Sequence, residues 1–181
     1  GSRHSVYDDL PWIEPLQQFI RTLTSEHIPL VGICFGHQIM AEALGGKVAA
    51  AAEGWLLGVQ DYLIPGTGRS IKSIAYHHDQ IVKNPPNIDI LMKNETCINA
   101  ACLYQDFPAL SVQPHPEFEK KFTSGLLKVS RDGSVPEPIV DHALDTIDTP
   151  IHQQRFARAI SELLLNKPDL NTLSKYLSED N

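Results

Sequence analysis

The chain has 181 residues, 42% of them hydrophobic and 20% charged, a composition that suits one globular unit with a sizeable core and excludes a disordered, collagen-like or coiled-coil chain. With 15 Lys and Arg against 22 Asp and Glu the net charge is −7, which argues against a general nucleic-acid or anionic-membrane surface and toward a small-molecule or protein partner. Three cysteines form neither a disulfide framework nor a C-x-x-C zinc pair; no apolar run nears the roughly 20 residues that span a bilayer, no signal-peptide order opens the chain, and the expected location is cytoplasmic.

From Asp9 to Ser25, the apolar residues Trp12, Leu16, Phe19, Ile20 and Leu23 recur at helical spacing, with Asp8 or Asp9 as cap and Pro11 in the first turn. Leu30 to Cys34 is a short apolar run feeding good helix formers from Phe35 to Leu44, which stop at Gly45-Gly46; it reads as strand, sharp turn, helix. Between Lys47 and Leu103 lie the β-like runs Leu57 to Ile64, Ser70 to Ala75, Ile88 to Met92 and Thr96 to Leu103, separated by turn residues such as Pro65-Gly66 and Asn84-Pro85-Pro86. Ala109 to Gln113 is a further strand, ending at Pro114-His115-Pro116-Glu117. Helices are expected over Glu119 to Lys128, Ile151 to Leu165 and Leu170 to Leu177, with a polar, Gly- and Pro-containing stretch from Ser130 to Pro138. Strands interleaved with helices, with no clear boundary between residues 1 and 181, predict one α/β domain.

Gly32-Ile33-Cys34-Phe35-Gly36 is the thiol counterpart of the G-x-S-x-G nucleophile elbow: a cysteine exposed on a tight strand-to-helix turn, where the helix N-terminus favours thiolate and the Phe35 N–H faces a developing oxyanion. In this reading Gly32 and Gly36 make room for the turn. An activated nucleophile needs a base, and the base an orienting group. His115 and Glu117, two apart just past a strand end, supply both, so Cys34, His115 and Glu117 are the candidate catalytic set. His77-His78-Asp79 is not read as a metal site, because adjacent histidines on a strand face opposite ways and no third ligand follows. Pro65-Gly66-Thr67-Gly68 is a hairpin turn rather than a phosphate loop, and Cys97 and Cys102 are small core hydrophobes. His37 is as readily structural as substrate-contacting.

Gly32-Ile-Cys-Phe-Gly-His-Gln38, then Ala43-Leu-Gly-Gly-Lys-Val48, then Val112-Gln-Pro-His-Pro-Glu117, resembles the class I, triad-type glutamine amidotransferase domain over nearly two thirds of the chain, from about Gly1 to about Phe118. The resemblance implies a flavodoxin-like three-layer α/β sandwich with a mostly parallel sheet, here without the family's N-terminal strand or strands. It implies a cysteine that attacks a γ-glutamyl amide and forms a glutamyl thioester, with Cys34 as nucleophile, His115 as acid/base, Glu117 as its orienter, Gln38 binding substrate and Phe35 giving an oxyanion N–H. Gly1 to Asp9 resembles the loop that gives the second oxyanion donor, which brings Gly1 to the site. Glu53-Gly54-Trp55 resembles a pocket-lining segment of stand-alone members, including fungal amidotransferase-like proteins and plant γ-glutamyl peptidases. Tyr76-His77-His78-Asp79 stands where the family often has Ser-His-Gly-Asp, so Tyr76 and His77 are expected at the substrate with altered recognition of the glutamyl head or its substituent.

No cofactor and no metal is implied. The partners expected are a glutamine or γ-glutamyl small molecule and either a synthetase or a second copy of the chain, with no nucleic acid and no membrane. Glutaminase, ammonia donor and γ-glutamyl peptidase remain open, beside a catalytically inactive regulatory or interaction subunit.

Overall fold

The computed structural model describes residues 1–131, 133, 135–166 and 169–179. Asp132 and Ser134, within the polar stretch from Ser130 to Pro138, lie outside the described residues.

Helix α1 runs Ile13–Ser25 and begins four residues later than its apolar spacing suggests. Pro15 is the reason: it is tolerated in a first turn, whereas a helix begun at Asp9 would put it in the second, where it lacks the N–H and its ring meets the Pro11 carbonyl. Asp8 does not cap this helix; its carboxylate accepts from the Ser5 N–H at 3.1 Å. Strand β1 (Leu30–Ile33) and helix α2 (Phe35–Ala43) follow as expected, and then strand β2 (Lys47–Ala50). Strands β3 (Leu56–Ile64) and β4 (Arg69–His77) form an antiparallel hairpin, closed by Pro65 to Gly68 with positive φ at both Gly66 and Gly68. Strand β5 (Asp79–Lys83) pairs antiparallel with β2.

The central sheet has the order β1-β8-β7-β6, with β6 at Ile88–Met92, β7 at Ala101–Tyr104 and β8 at Ala109–Val112. It is a mixed sheet: β1 and β8 are parallel, while β8, β7 and β6 pair antiparallel. The short links before and after β7 permit only antiparallel neighbours, since a parallel pair needs a crossover of a dozen or more residues. The expected strand from Thr96 begins only at Ala101, because the Asn94 side chain accepts from the N–H groups of Thr96 and Cys97 at 3.2 and 2.7 Å and folds that segment into a turn.

The sheet lies between two helical layers. Leu110 and Val112 of β8, with Ala101 and Leu103 of β7, face a core completed by the β3–β4 hairpin and by helices α5 (Gln153–Asn166) and α6 (Leu170–Ser178). Cys102, Tyr104 and Ala109 alternate onto the opposite face, against α1 and α2. A satellite core of Leu57, Leu127, Val135, Val140, Ala143 and Ile147 joins helices α3 (Lys120–Ser130) and α4 (Glu137–Thr146) to the hairpin. No helix among the described residues is long and apolar enough to cross a membrane.

Candidate active site

The parallel register of β1 and β8 aligns Ile33 with Val112, so both strands end at one edge of the sheet, where ligands of open α/β sheets bind. Cys34 leaves that edge with its N–H still bonded to the Val112 carbonyl at 2.9 Å, and its carbonyl accepts the first turn of α2 from the Gln38 N–H at 3.0 Å. Pinned between strand and helix, Cys34 takes φ 52° and ψ −103°, a conformation costing a non-glycine residue on the order of 1–3 kcal/mol. Gly32 permits the turn: a Cβ there would lie 2.5 Å from Met40 Sδ and 2.6 Å from the Gly36 carbonyl oxygen. Gly36 is different, since a Cβ at that position would meet nothing within 4 Å, so the room expected of it is not needed.

Past the end of β8, the His115 N–H bonds to the Ile74 carbonyl at 2.7 Å, which ties the residue to β4. Its Nδ1 lies 2.6 Å from Glu117 Oε1, and the Phe118 ring stacks on the imidazole at 4.0 Å and 16°. Gln153 on α5 holds this loop by donating to the Pro116 and Phe118 carbonyls at 2.9 and 2.8 Å. Burial alone would lower the His115 pKa, but its hydrogen bonds with Cys34 and Glu117, and their charges, push it up to about 9. Burial likewise acts to raise Glu117, yet the hydrogen bond and charge of His115 leave it below its ordinary value. The arrangement stores the proton on the imidazole, between the Cys34 sulfur on one side and the Glu117 carboxylate on the other.

The loop from Gly1 to Asp9 crosses the front of this pair. A Cβ on Gly1 would lie 3.3 Å from His115 Cε1 and 3.9 Å from Cys34 Sγ. One carboxylate holds the loop: Asp79 accepts the Ser5 hydroxyl at 2.5 Å on one oxygen and the Tyr7 hydroxyl at 2.9 Å on the other, with His78 Nδ1 3.1 Å away. The Asp79 carbonyl receives the Gln38 amide at 2.8 Å, and the second hydrogen of that amide reaches Gln113 Oε1 at 3.1 Å.

A cleft of about 610 Å³ opens at Cys34, and Phe35, Gln38, Tyr76 and His77 line it with the thiol. The structure therefore gathers every expected site residue at one edge of the sheet, with Gly1 and His115 at the sulfur and Glu117 on the solvent side. The Phe35 N–H belongs to the first turn of α2, whose N–H groups have no intrahelical acceptor. The Tyr76 carbonyl oxygen is 3.9 Å from Cys34 Sγ, while its hydroxyl bonds to Ser130 Oγ. His77 is buried with Nδ1 3.1 Å from the Asp79 carbonyl oxygen, and burial pushes its pKa down to about 4. His37 is structural: fully buried, 2.7 Å from Ser111 Oγ, and lowered to about 3 mainly by burial. Cys97 and Cys102 are buried thiols raised to about 12 by desolvation, away from the cleft lining.

The glutamine amidotransferase class-I family model matches residues 5–127 of this chain. The chain belongs to that family. A glutamine amidotransferase-like protein of Schizosaccharomyces pombe is 32% identical over 176 residues, which cover 91% of this chain and 70% of that protein. Gamma-glutamyl peptidase 2 of Arabidopsis thaliana is 30% identical over 158 residues, covering 81% of this chain and 63% of the relative. A solved glutamine amido transferase from Methylobacillus flagellatus superimposes with TM-score 0.73 at 21% identity, across 100% of this chain and 76% of that one, and so shares the fold.

Sequence reasoning missed several parts of the candidate site in this class-I family member. Asp79 was seen only within its motif, not as the anchor of Ser5 and Tyr7, because hydroxyl partners more than 70 residues away leave no local pattern. Phe118 and Gln153 act through tertiary contact alone. Trp55 was signalled by its segment and does line the cleft.

Proposed function

We propose that this chain is a cysteine hydrolase of γ-glutamyl amides. The observation that carries the reading is the convergence at one sheet edge of a thiol on a strained strand-to-helix turn and a buried imidazole bonded to a carboxylate. In the proposed reaction Cys34 Sγ, having given its proton to His115, bonds to the γ-carbonyl carbon. The carbonyl oxygen becomes an anion held by the Phe35 N–H and the backbone at Gly1. Collapse breaks the C–N bond, and the amine leaves with the proton from His115. Water then attacks the glutamyl thioester and passes a proton to His115; the C–S bond breaks, releasing glutamate and restoring the starting Cys34–His115 pair with the proton on His115. Glu117 keeps the ring oriented with Nε2 toward the sulfur. Gln38 spends both amide hydrogens on Asp79 and Gln113, which leaves its oxygen to receive the substrate's ammonium group.

Glutamate release from L-glutamine and from γ-glutamyl amides, with diazoketone glutamine analogues as labels, tests the assignment. Label is expected at Cys34 alone, and Cys34→Ala is expected to lose label and about a thousandfold or more of the turnover. Absence of release from every γ-glutamyl amide by the folded full-length protein, or equal labelling of Cys97 and Cys102, would move the assignment to a non-catalytic subunit. A stimulation of glutamine turnover confined to mixtures with a synthetase would make the chain an ammonia donor.

A further inference from the structure

The cleft is chemically two-sided. Around Ser5, Gln38 and Asp79 it is polar; from His78, which touches Asp79, onward it is walled by rings. Trp55 lies 5.9 Å from Tyr76 at 65° and 5.4 Å from His78 at 57°, and all three are partly buried and line the cleft. The wall is rigid from behind. Trp55 and Tyr76 pack on the satellite core of Leu57, Val135, Val140 and their neighbours, and the Tyr76 hydroxyl is tied to Ser130 on α3. The wall also begins at the reacting atom, since the Tyr76 carbonyl oxygen is the group 3.9 Å from Cys34 Sγ.

A γ-glutamyl amide presents two unlike halves on either side of the bond that breaks. The amino-acid head is a zwitterion that needs hydrogen-bonding partners, which the Gln38 and Asp79 end supplies; ammonia, as the leaving group of glutamine, would leave the ringed end unfilled. About 610 Å³ is a cleft of the size that takes a drug-sized ligand.

We propose that Trp55, Tyr76 and His78 form a leaving-group subsite that selects γ-glutamyl amides whose amine carries a flat aromatic group, with Trp55 the specificity-determining residue. The inference rests on the hydrolase reading above and adds the class of amine it releases. A planar ring set against a preorganised indole gains apolar burial together with stacked or edge-on contact, without ordering new side chains.

The test compares γ-glutamyl-benzylamide with γ-glutamyl-methylamide, two alkylamides that differ by the ring. The benzylamide is expected to show kcat/KM higher by about tenfold, the scale of one good aromatic contact, carried mostly by KM. Trp55→Ala should erase that ratio, and Trp55→Phe, which keeps a ring on the same backing, should retain most of it. Equal kcat/KM for the two amides in the wild type, or an unchanged ratio in a folded Trp55→Ala protein, overturns the subsite while leaving the hydrolase assignment intact. If neither amide is cleaved, release from L-glutamine decides the hydrolase assignment, and calorimetric binding of the same two uncleaved amides decides the subsite: tighter benzylamide binding that Trp55→Ala abolishes supports it, and equal binding overturns it.

Discussion

Stability should fall on both sides of about pH 6.5, with different histidines responsible for the two limbs. His115 stands at about 9 in the folded chain against its ordinary 6.5. Raised above its unfolded value, it contributes stability that is fully present below about pH 6.5 and is lost as pH climbs through about 9. At about 1.36 kcal/mol for each pH unit the contribution is about 3 kcal/mol. His77, lowered to about 4, acts in the opposite sense: below about pH 6.5 the unfolded chain takes a proton that the folded chain refuses, which costs roughly 2 kcal/mol at about pH 5. His37, lowered to about 3, adds a cost of the same sign. Urea unfolding at constant ionic strength between about pH 5 and pH 9.5 measures both limbs. His115→Asn should lower the plateau and flatten the alkaline limb, and Glu117→Gln should shrink it, while both keep the acid limb. Alkaline limbs that superimpose for the wild type and His115→Asn would refute the placement of the stored proton.

Gly32→Ala should cost about 3 kcal/mol or more, because its Cβ would sit 2.5 Å from Met40 Sδ and as close to backbone; Gly36→Ala should be neutral or stabilising by up to about 1 kcal/mol, since open space surrounds its Cβ. Thermal unfolding of the pair checks the contrast, and equal losses would contradict the elbow geometry. Asp79→Ala should free the Ser5 and Tyr7 hydroxyls and lower kcat by at least about tenfold, through misplacement of the loop beside Cys34, with faster proteolysis of residues 1–9. Unaltered kcat and cleavage would show that the loop holds itself. Cys97 and Cys102, at about 12, should resist iodoacetamide in the folded protein at pH 8 and react only after unfolding; peptide mass mapping reads the sites, and native labelling at either position would contradict their burial.

What was legible in the sequence was what short-range chemistry dictates. The apolar run ending in Gly-x-Cys could only be a strand entering a helix through a tight turn, and Pro65 to Gly68 could hardly be other than a hairpin. The requirement of a nucleophile for a base and of the base for an orienting group joined Cys34 to His115 and Glu117 across about 80 residues, and family resemblance then reinforced the set. The errors also have local physics: Pro15 postponed α1, and Asn94 diverted Thr96 and Cys97 from the ladder. Helix α4 was missed because Pro136 and Pro138 read as loop, although Ile139, Val140, Ala143, Leu144 and Ile147 keep a helical stripe and Pro138 sits harmlessly in the first turn. The antiparallel pairing of β8, β7 and β6 follows from the short links around β7, which leave no room for a crossover.

The pairing of β1 with β8 has a temporal consequence. Cys34 and His115 lie about 80 residues apart in sequence, and at about 5–20 residues per second a ribosome presents the thiol some 4–16 seconds before the imidazole exists. Until β8 emerges and docks beside β1, Cys34 has no base and its strained turn no Val112 carbonyl to hold it. Closing that loop is a non-local step of the kind that slows folding. The proposed nucleophile is thus armed late, only after the sheet that confines it has been assembled.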